Sequence, residues 1–162
     1  MQELISAKFA LDNLYNKPKV VFIDSTFHLP NSGRNALEEF NSCHIPNARF
    51  FDINKISEQS SDLPHMLPSE LFFSKMVGKL GINNDDTVVA YDNSIFFSSA
   101  RAWWMFKIFG HKDLKIIDGG LKAWKDQDGP LESKKNIFKD TTYIAQKVNH
   151  HLCDNLDNIM DD

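Results

Sequence analysis

The chain has 162 residues, of which 42% are apolar and 25% charged, with a formal net charge of −4. These values are typical of one globular domain with a sizeable core and some excess at its ends. The acidic balance argues against nucleic-acid binding, which usually needs a basic face. No apolar run is long enough to span a membrane, and the N-terminus has neither a signal-peptide nor a transit-peptide pattern. With two cysteines a disulfide framework is not expected, which favours a reducing location, the cytoplasm or, in a eukaryote, the mitochondrial matrix.

The first half of the chain predicts two strands separated by helical turns. Ser6 to Leu14 has the apolar spacing of a short helix. The continuous apolar run Val20 to Ile23 predicts a strand buried on both faces, and it ends at Asp24. Arg34 to Phe40 predicts one or two helical turns, Ala48 to Phe51 predicts a second strand, and a polar segment follows.

The second half continues this alternation. A helix begins at Ser69 and ends before Gly81, and its predicted apolar face consists of Leu71, Phe72, Val77 and Leu80. The next predicted elements are a strand at Val88–Tyr91, a helix at Ala100–Phe109, a strand at Lys115–Ile117 and a helix at Leu121–Gln127. Strands alternating with helices predict an α/β fold, a mostly parallel sheet with helices on both faces.

The chemistry of such a sheet is expected outside the carboxyl ends of its strands, where Asp24, Asp92 and Asp118 lie. The third strand runs through a polar and aromatic loop into a helix, which places the loop over free backbone N–H groups that attract anions. The residue at that strand end is Asp92. Its carboxylate is expected to accept hydrogen bonds from these N–H groups, to occupy the anion cradle itself and to repel an anionic substrate.

Four segments of the chain occur together in one known family. They are RNALEEFNSCHIPNARFFDI, LPHMLP, YDNSIFFSSARAWWMFKIFG and IIDGGLKAW. In this order they resemble the first of the two rhodanese-homology domains of thiosulfate and 3-mercaptopyruvate sulfurtransferases, over about residues 17 to 135. The resemblance implies a second domain whose cysteine accepts sulfur as a persulfide and passes it to a thiol or cyanide, without a cofactor. It also implies that an acidic residue, here Asp92, replaces the cysteine in the first domain.

The resemblance implies a division of the chain into three parts. Residues 1–16 would form an N-terminal helix packed on the domain, 17–131 the non-catalytic rhodanese-like domain, and 132–162 a linker with the start of a second domain. The expected partners are the C-terminal rhodanese domain of the same protein and a small anionic sulfur donor. A free-standing binding module is the alternative, and a reading frame that continues past Asp162 into a strand ending in Cys-x-x-Gly would decide against it.

His65 is the candidate auxiliary residue. It lies between Pro64 and Pro68, which stiffen the loop. In mercaptopyruvate-type enzymes the matching histidine faces the cysteine loop of the other domain and is proposed to assist proton transfer, for which an imidazole is well suited. The partner acid of that family aligns with Asn54 here, which cannot compensate an imidazolium charge. A purely structural role for His65 remains the open alternative.

The remaining reactive side chains are expected to be structural. Neither Cys43 nor Cys153 precedes an anion-binding loop, so both are expected to be non-catalytic. Arg101 is expected to pair with one of the strand-end carboxylates, and Arg34, another of the three arginines, is likewise expected to tie loops together rather than to bind substrate. The adjacent His150 and His151 cannot chelate as a helical i, i+4 pair does, and no metal site is predicted. The run Trp103 to Phe106 must divide between the core and a second surface.

Overall fold

The fold is built on a five-stranded parallel sheet, seen in a computed structural model that describes residues 3–56, 68–94 and 97–146. The strand order is β1-β5-β4-β2-β3. The strands are β1 (Leu4–Ile5), β2 (Val20–Asp24), β3 (Arg49–Phe50), β4 (Thr87–Tyr91) and β5 (Leu114–Ile117). The helices are α1 (Ala7–Asn13), α2 (Ala36–Ser42), α3 (Ile53–Ile56), α4 (Glu70–Lys79), α5 (Ser99–Ile108) and α6 (Gly120–Asp126).

Both faces of the sheet are covered, which confirms the predicted α/β layering. On β4, Val88 and Ala90 pack in one core cluster with residues of α3, α4 and α5. The alternate residues Val89 and Tyr91 pack in a second cluster with residues of α1 and α6. Successive side chains of a strand point to opposite faces, so a continuous apolar run is what a central strand buried on both sides requires. None of the helices in the described ranges has the length and apolar character needed to cross a membrane.

Two elements were missed from the sequence because they are too short to show a period. Strand β1 has two residues and pairs with β5, with Leu4 opposite Ile116. Helix α3 has four residues, and it buries Ile53 and Ile56 at the start of what reads as a polar segment. The edge strand β3 is also shorter than predicted.

The predicted apolar face of α4 was right at Val77 and Leu80 but wrong at Leu71, and it omitted Phe73. Leu71 is 81% exposed, whereas Phe73 and Val77 are fully buried. Phe73 and Val77 are four residues apart and therefore lie on one side of the helix. The stretch Leu71 to Phe73 is apolar throughout, so its pattern alone did not identify the inward residue.

Residues 131–146, which we call the strap, contain no helix or strand yet lie against the domain. The amide of Thr141 donates to the carbonyl of Gly78 at 2.9 Å, and the amide of Ala145 donates to Oγ of Ser74 at 2.8 Å. Tyr143 and Ala145 are buried in the same cluster as Phe73. The strap is therefore packed as part of this domain as far as residue 146, whatever part of the protein it leads to.

Candidate active site at the carboxyl ends of the strands

Asp92 follows the last residue of β4 and lies in the loop that leads to α5. Its Oδ2 accepts the amide of Ser99 at 2.6 Å, and its Oδ1 accepts the amide and the hydroxyl of Ser94, both at 3.2 Å. The carboxylate is buried. It fills the space in front of the first turn of α5, as expected from the sequence. These hydrogen bonds hold the carboxylate against the start of α5.

The backbone of Asp92 is also fixed from the other side. The amide of Leu121 donates to the Asp92 carbonyl at 2.9 Å, and Gly120 has a φ of +59°. A Cβ at Gly120 would lie 2.2 Å from the Asp92 carbonyl oxygen, so only glycine allows this approach. The first turn of α6 and the Asp92 loop thus hold each other in place.

A second polar loop, after β2, is linked to the Asp92 loop through hydroxyl groups. Thr26 donates from Oγ1 to Oδ1 of Asp24 at 2.5 Å and accepts the amide of Asn93 at 2.9 Å. Ser98 donates from Oγ to the carbonyl of Ser25 at 2.8 Å. These bonds join two of the three strand-end aspartates into one network. The third, Asp118, is exposed and takes no part in the hydrogen bonds of this network.

Asp24 titrates unlike an ordinary aspartate. Its pKa is raised from 3.8 to about 6, mainly by burial; the hydrogen bonds from Thr26 lower the pKa, and the nearby Asp92 adds a smaller increase. Removing a carboxylate from water disfavours the charged form, and a second carboxylate close by adds repulsion. A buried carboxyl group with a raised pKa occurs at catalytic sites and also in structural networks.

Arg34 joins this edge of the sheet to α2. Its Nε and Nη2 donate to the two carboxylate oxygens of Glu39 at 2.8 and 3.0 Å, and Nη2 also donates to the carbonyl of Asn93 at 3.1 Å. The Arg34 bonds lower the pKa of Glu39. The prediction that Arg34 ties strand-end loops together is confirmed.

Two cavities meet at Arg34. One, of about 340 Å³, is lined by Asp92, Ser94, Phe97 and Lys122 among others. The other, of about 530 Å³, lies between α2 and α6 and includes Asp24, Cys43 and Lys125. The cysteine in this second cavity is the residue at the end of α2, and it is half-buried. The loop that carries Asp92 does not contact it through any hydrogen bond found between described residues.

The prediction for Arg101 was wrong. Among the described residues it pairs with none of the strand-end carboxylates, and its Nε is buried without a hydrogen-bond partner. Its guanidinium lies 4.5 Å from the ring centroid of Trp104 instead, in a cation–π contact. Since the two residues are three apart on α5, they share a face and reach each other before either reaches the strand ends.

The aromatic run on α5 divides as predicted. Met105 and Phe106 are fully buried, whereas Trp103 and Trp104 are half-buried. Trp103 donates from Nε1 to the carboxylate of Glu3. This bond attaches the segment before β1 to the helix, a connection that the sequence did not indicate.

Several predicted site residues lie outside the described residues. They include His65, Cys153, His150 and His151. Asn54 lies in α3, close to where the described part of the chain is interrupted. Within the described ranges no group of three or more His, Cys, Asp or Glu side chains has an arrangement that could hold a metal ion.

The hydroxyl groups of Thr26, Ser94 and Ser98 were not identified from the sequence. The signal was present, since serine and threonine directly after a strand commonly bond to nearby backbone and carboxylate groups. What the sequence could not show is that the two loops bond to each other, because 67 residues separate Thr26 from Asn93.

Comparison with known proteins adds to this geometry. A family profile described as the rhodanese-like domain matches residues 7–127. The thiosulfate/3-mercaptopyruvate sulfurtransferase 1, mitochondrial, of Arabidopsis thaliana is 40% identical over 132 residues, which are 82% of this chain and 35% of that protein. The 3-mercaptopyruvate sulfurtransferase of Homo sapiens is 43% identical over 126 residues, 76% of this chain and 42% of that protein.

A solved structure agrees with these matches. The crystal structure of the 3-mercaptopyruvate sulfotransferase SseA from Escherichia coli has a TM-score of 0.82 and 33% identity, covering 92% of this chain and 58% of that one. The chain spans about half the length, or less, of the relatives it matches, and the match lies in their N-terminal half. A parallel sheet covered on both faces, the strand-end loop of Asp92 and these matches lead to one conclusion: the chain belongs to the rhodanese-like domain family.

Proposed function

We propose that this chain is the non-catalytic, N-terminal rhodanese domain of a two-domain sulfurtransferase. The carrying observation is the carboxylate of Asp92, which accepts the amides of Ser94 and Ser99 and so fills the cradle in front of α5. A carboxylate cannot form a persulfide, and a negative charge in that cradle repels an anionic donor. The relatives are sulfurtransferases that are longer than this chain, which supports a second domain.

In this proposal the second domain supplies the chemistry. Its cysteine thiolate would take the sulfane sulfur of thiosulfate by cleavage of the S–S bond, releasing sulfite, or the thiol sulfur of 3-mercaptopyruvate by cleavage of the C–S bond, the carbon taking up a proton to give pyruvate. The resulting persulfide would pass its outer sulfur to a thiol or cyanide without a cofactor. This chain would form one wall of the cleft. Residues 17–131 would be the main part of the domain, residues 1–16 an N-terminal segment packed on it, and residues 132–162 the link to the second domain. This link packs against the present domain as far as residue 146. The protein would work in the cytoplasm or the mitochondrial matrix.

His65 is proposed as an auxiliary residue that this domain presents to the cleft. The proposal rests on its place between Pro64 and Pro68 and on the ability of imidazole to transfer protons near neutral pH. In the full-length protein, His65→Ala should lower turnover with mercaptopyruvate by up to about 100-fold, the lower end of what a general acid or base supplies. In the isolated chain it should change the free energy of unfolding by less than about 1 kcal/mol. A large loss of stability with unchanged turnover would make His65 structural.

The direct test compares this chain with the full-length protein. With thiosulfate and cyanide, or mercaptopyruvate and a thiol, the 162-residue chain should show no turnover above buffer, while the full-length protein should turn over. Cys43→Ser serves as the matched variant, because Cys43 lines the cavity next to Asp24. Turnover by the chain alone that disappears in Cys43→Ser would overturn the proposal and make Cys43 the nucleophile. A natural reading frame without a cysteine domain, together with an inactive protein, would favour a free-standing binding module.

A further inference from the structure

A cavity at the β3 edge of the sheet is lined by positive charges. It has a volume of about 260 Å³, and its lining includes Arg49, Lys79, Lys134 and Lys135. Among the residues that the structure describes, no aspartate or glutamate lines it. This is unusual for a chain with a net charge of −4, in which acidic side chains outnumber basic ones. We call it the basic cavity.

Its four cations form no ion pair within the described part of the chain. Arg49 shows this most clearly. Its Nε donates to the carbonyl of Leu80 at 3.0 Å, its Nη1 donates to the carbonyl of Asn47 at 2.8 Å, and its guanidinium lies 3.6 Å from the ring centroid of Phe138. All three partners are uncharged. Burial lowers the pKa of Arg49, and the opposing effect of Asp86 is smaller.

The carboxylate that borders this region is already engaged. Oε2 of Glu132 accepts Nε2 of His44 at 3.1 Å, the amide of Asn47 at 3.0 Å and Nδ2 of Asn136 at 2.6 Å. Two of these donors belong to residues that line the cavity, His44 and Asn136, whereas Glu132 itself does not line it. All three donors bond to Oε2, and no ion pair joins Glu132 to a lysine within the described residues.

The cavity also has aromatic walls and lies apart from the Asp92 site. Phe40, Phe50 and Phe138 contribute half-buried rings. None of its lining residues lines either of the two cavities that meet at Arg34. Its size suits a small molecule rather than a macromolecular surface. Its charge lies outside the two cavities at the Asp92 edge of the sheet.

We propose that the basic cavity binds a small polyanion, a molecule with phosphate or several carboxylate groups. Arg49 is half-buried without an ion-pair partner, and a bound anion would offset the desolvation cost of this cation. Arginine and lysine are the residues that recognise phosphate and carboxylate groups, with arginine supplying directed donors and lysine point charges. Three of the cations lie on exposed positions at the rim, so binding should weaken with added salt.

The test is to titrate the whole chain with pyrophosphate and, separately, with citrate. Binding is measured by isothermal titration calorimetry and by changes in amide chemical shifts. The two probes distinguish a phosphate site from a carboxylate site. Lys79→Ala, Lys134→Ala and Lys135→Ala combined should weaken binding by about 10-fold or more, the combined effect of three partly exposed charges. The shifted amides should include those of Arg49 and Phe50.

The control variant combines Lys75→Ala, Lys112→Ala and Lys139→Ala. It removes the same charge from exposed positions that do not line the cavity. Unchanged thermal midpoints for both triple variants would show that each still folds. The proposal is supported if only the cavity variant loses affinity. It is overturned if both variants lose affinity equally, which would indicate non-specific attraction, or if neither probe binds below about 10 mM, a concentration at which even weak sites are occupied.

Discussion

The carboxylate of Asp92 and the amide of Ser99 form a 2.6 Å hydrogen bond across the loop that joins β4 to α5. The same first turn of a helix is where a loop of this kind would hold an anionic substrate. An anion that belongs to the protein therefore occupies the position of the ligand. The Asp92 side chain fills this position, and this is the physical basis for proposing that the domain is non-catalytic.

Replacing Asp92 by alanine should destabilise the domain. The substitution leaves the buried amide of Ser99 and the half-buried amide of Ser94 without their acceptor, and a lost bond of this type at a helix start costs about 1–3 kcal/mol. Chemical denaturation of the two proteins measures the difference. Asp118→Ala is the matched control, because Asp118 also follows a strand but is exposed, and it should change stability by less than about 0.5 kcal/mol. Equal effects of the two substitutions would remove the argument for a filled cradle.

The parts of the fold that sequence reasoning recovered are those with a strong local signal. The apolar runs at β2 and β4 could only be central strands, and Asp92 was identifiable because it directly follows one of them. Local patterns did not reveal β1 or the hydrogen bond between Thr26 and Asn93, because these depend on contacts between residues far apart in the chain.

The error at Arg101 has a related cause. A charged residue near several carboxylates is expected to form an ion pair. The helix, however, directs the Arg101 side chain towards Trp104 on the same face. The direction of a side chain on a helix is set by the local helix geometry. The number of residues between Arg101 and a strand end does not reveal that direction.

The raised pKa of Asp24 makes stability depend on pH. A carboxyl group whose pKa is higher in the folded than in the unfolded state stabilises the fold when protonated, and this contribution is lost as the pH rises from 3.8 through about 6. Asp24→Asn keeps an acceptor for Thr26 but cannot ionise. Relative to the parent, the variant should therefore gain stability as the pH rises from 3.8 through about 6, by up to ~3 kcal/mol for a shift of about two pKa units, and should keep that difference at higher pH.

Urea denaturation of the parent and of Asp24→Asn at several pH values measures this difference. Glu38→Gln is a suitable control, since Glu38 lines the same cavity as Asp24 but is exposed. A difference between Asp24→Asn and the parent that is independent of pH would show that Asp24 titrates normally in the folded protein.

His111 should make stability depend on pH in the opposite sense to Asp24. Burial lowers its pKa from the model-compound value of 6.5, while the nearby Asp86 and Asp113 oppose that change. Its Nε2 lies 2.7 Å from the carbonyl of Asp86, which can only accept, so Nδ1 accepts from the hydroxyl of Tyr143, also at 2.7 Å. The neutral ring is thus favoured by folding. Its contribution to stability is present above pH 6.5 and is lost as the pH falls below that value towards the folded-state pKa.

An NMR titration of the imidazole signals tests this expectation directly. The His111 ring should protonate at lower pH than an exposed histidine, and the amides of the strap around Tyr143 should shift in the same step. Tyr143→Phe keeps the buried ring but removes the hydroxyl, so Nδ1 loses its donor. A folded-state pKa at or above that of a free histidine would contradict the proposed tautomer and its bond to Tyr143.

Substitution of Gly78 should release the strap. In the middle of an exposed helix a change from glycine to alanine stabilises by about 1 kcal/mol. At Gly78, however, a Cβ would lie 2.5 Å from the carbonyl oxygen of Thr141, a backbone atom that moves only with the strap. Gly78→Ala is therefore expected to destabilise the domain, by about 1–3 kcal/mol, because the added methyl group overpacks this contact.

Hydrogen exchange should show faster exchange at the amides of Thr141 and Ala145, whose acceptors lie on α4. Lys75→Ala on the exposed side of the same helix should leave both stability and exchange almost unchanged. A Gly78→Ala variant that gains stability, with the strap amides still protected, would show that the strap does not pack against α4 as described.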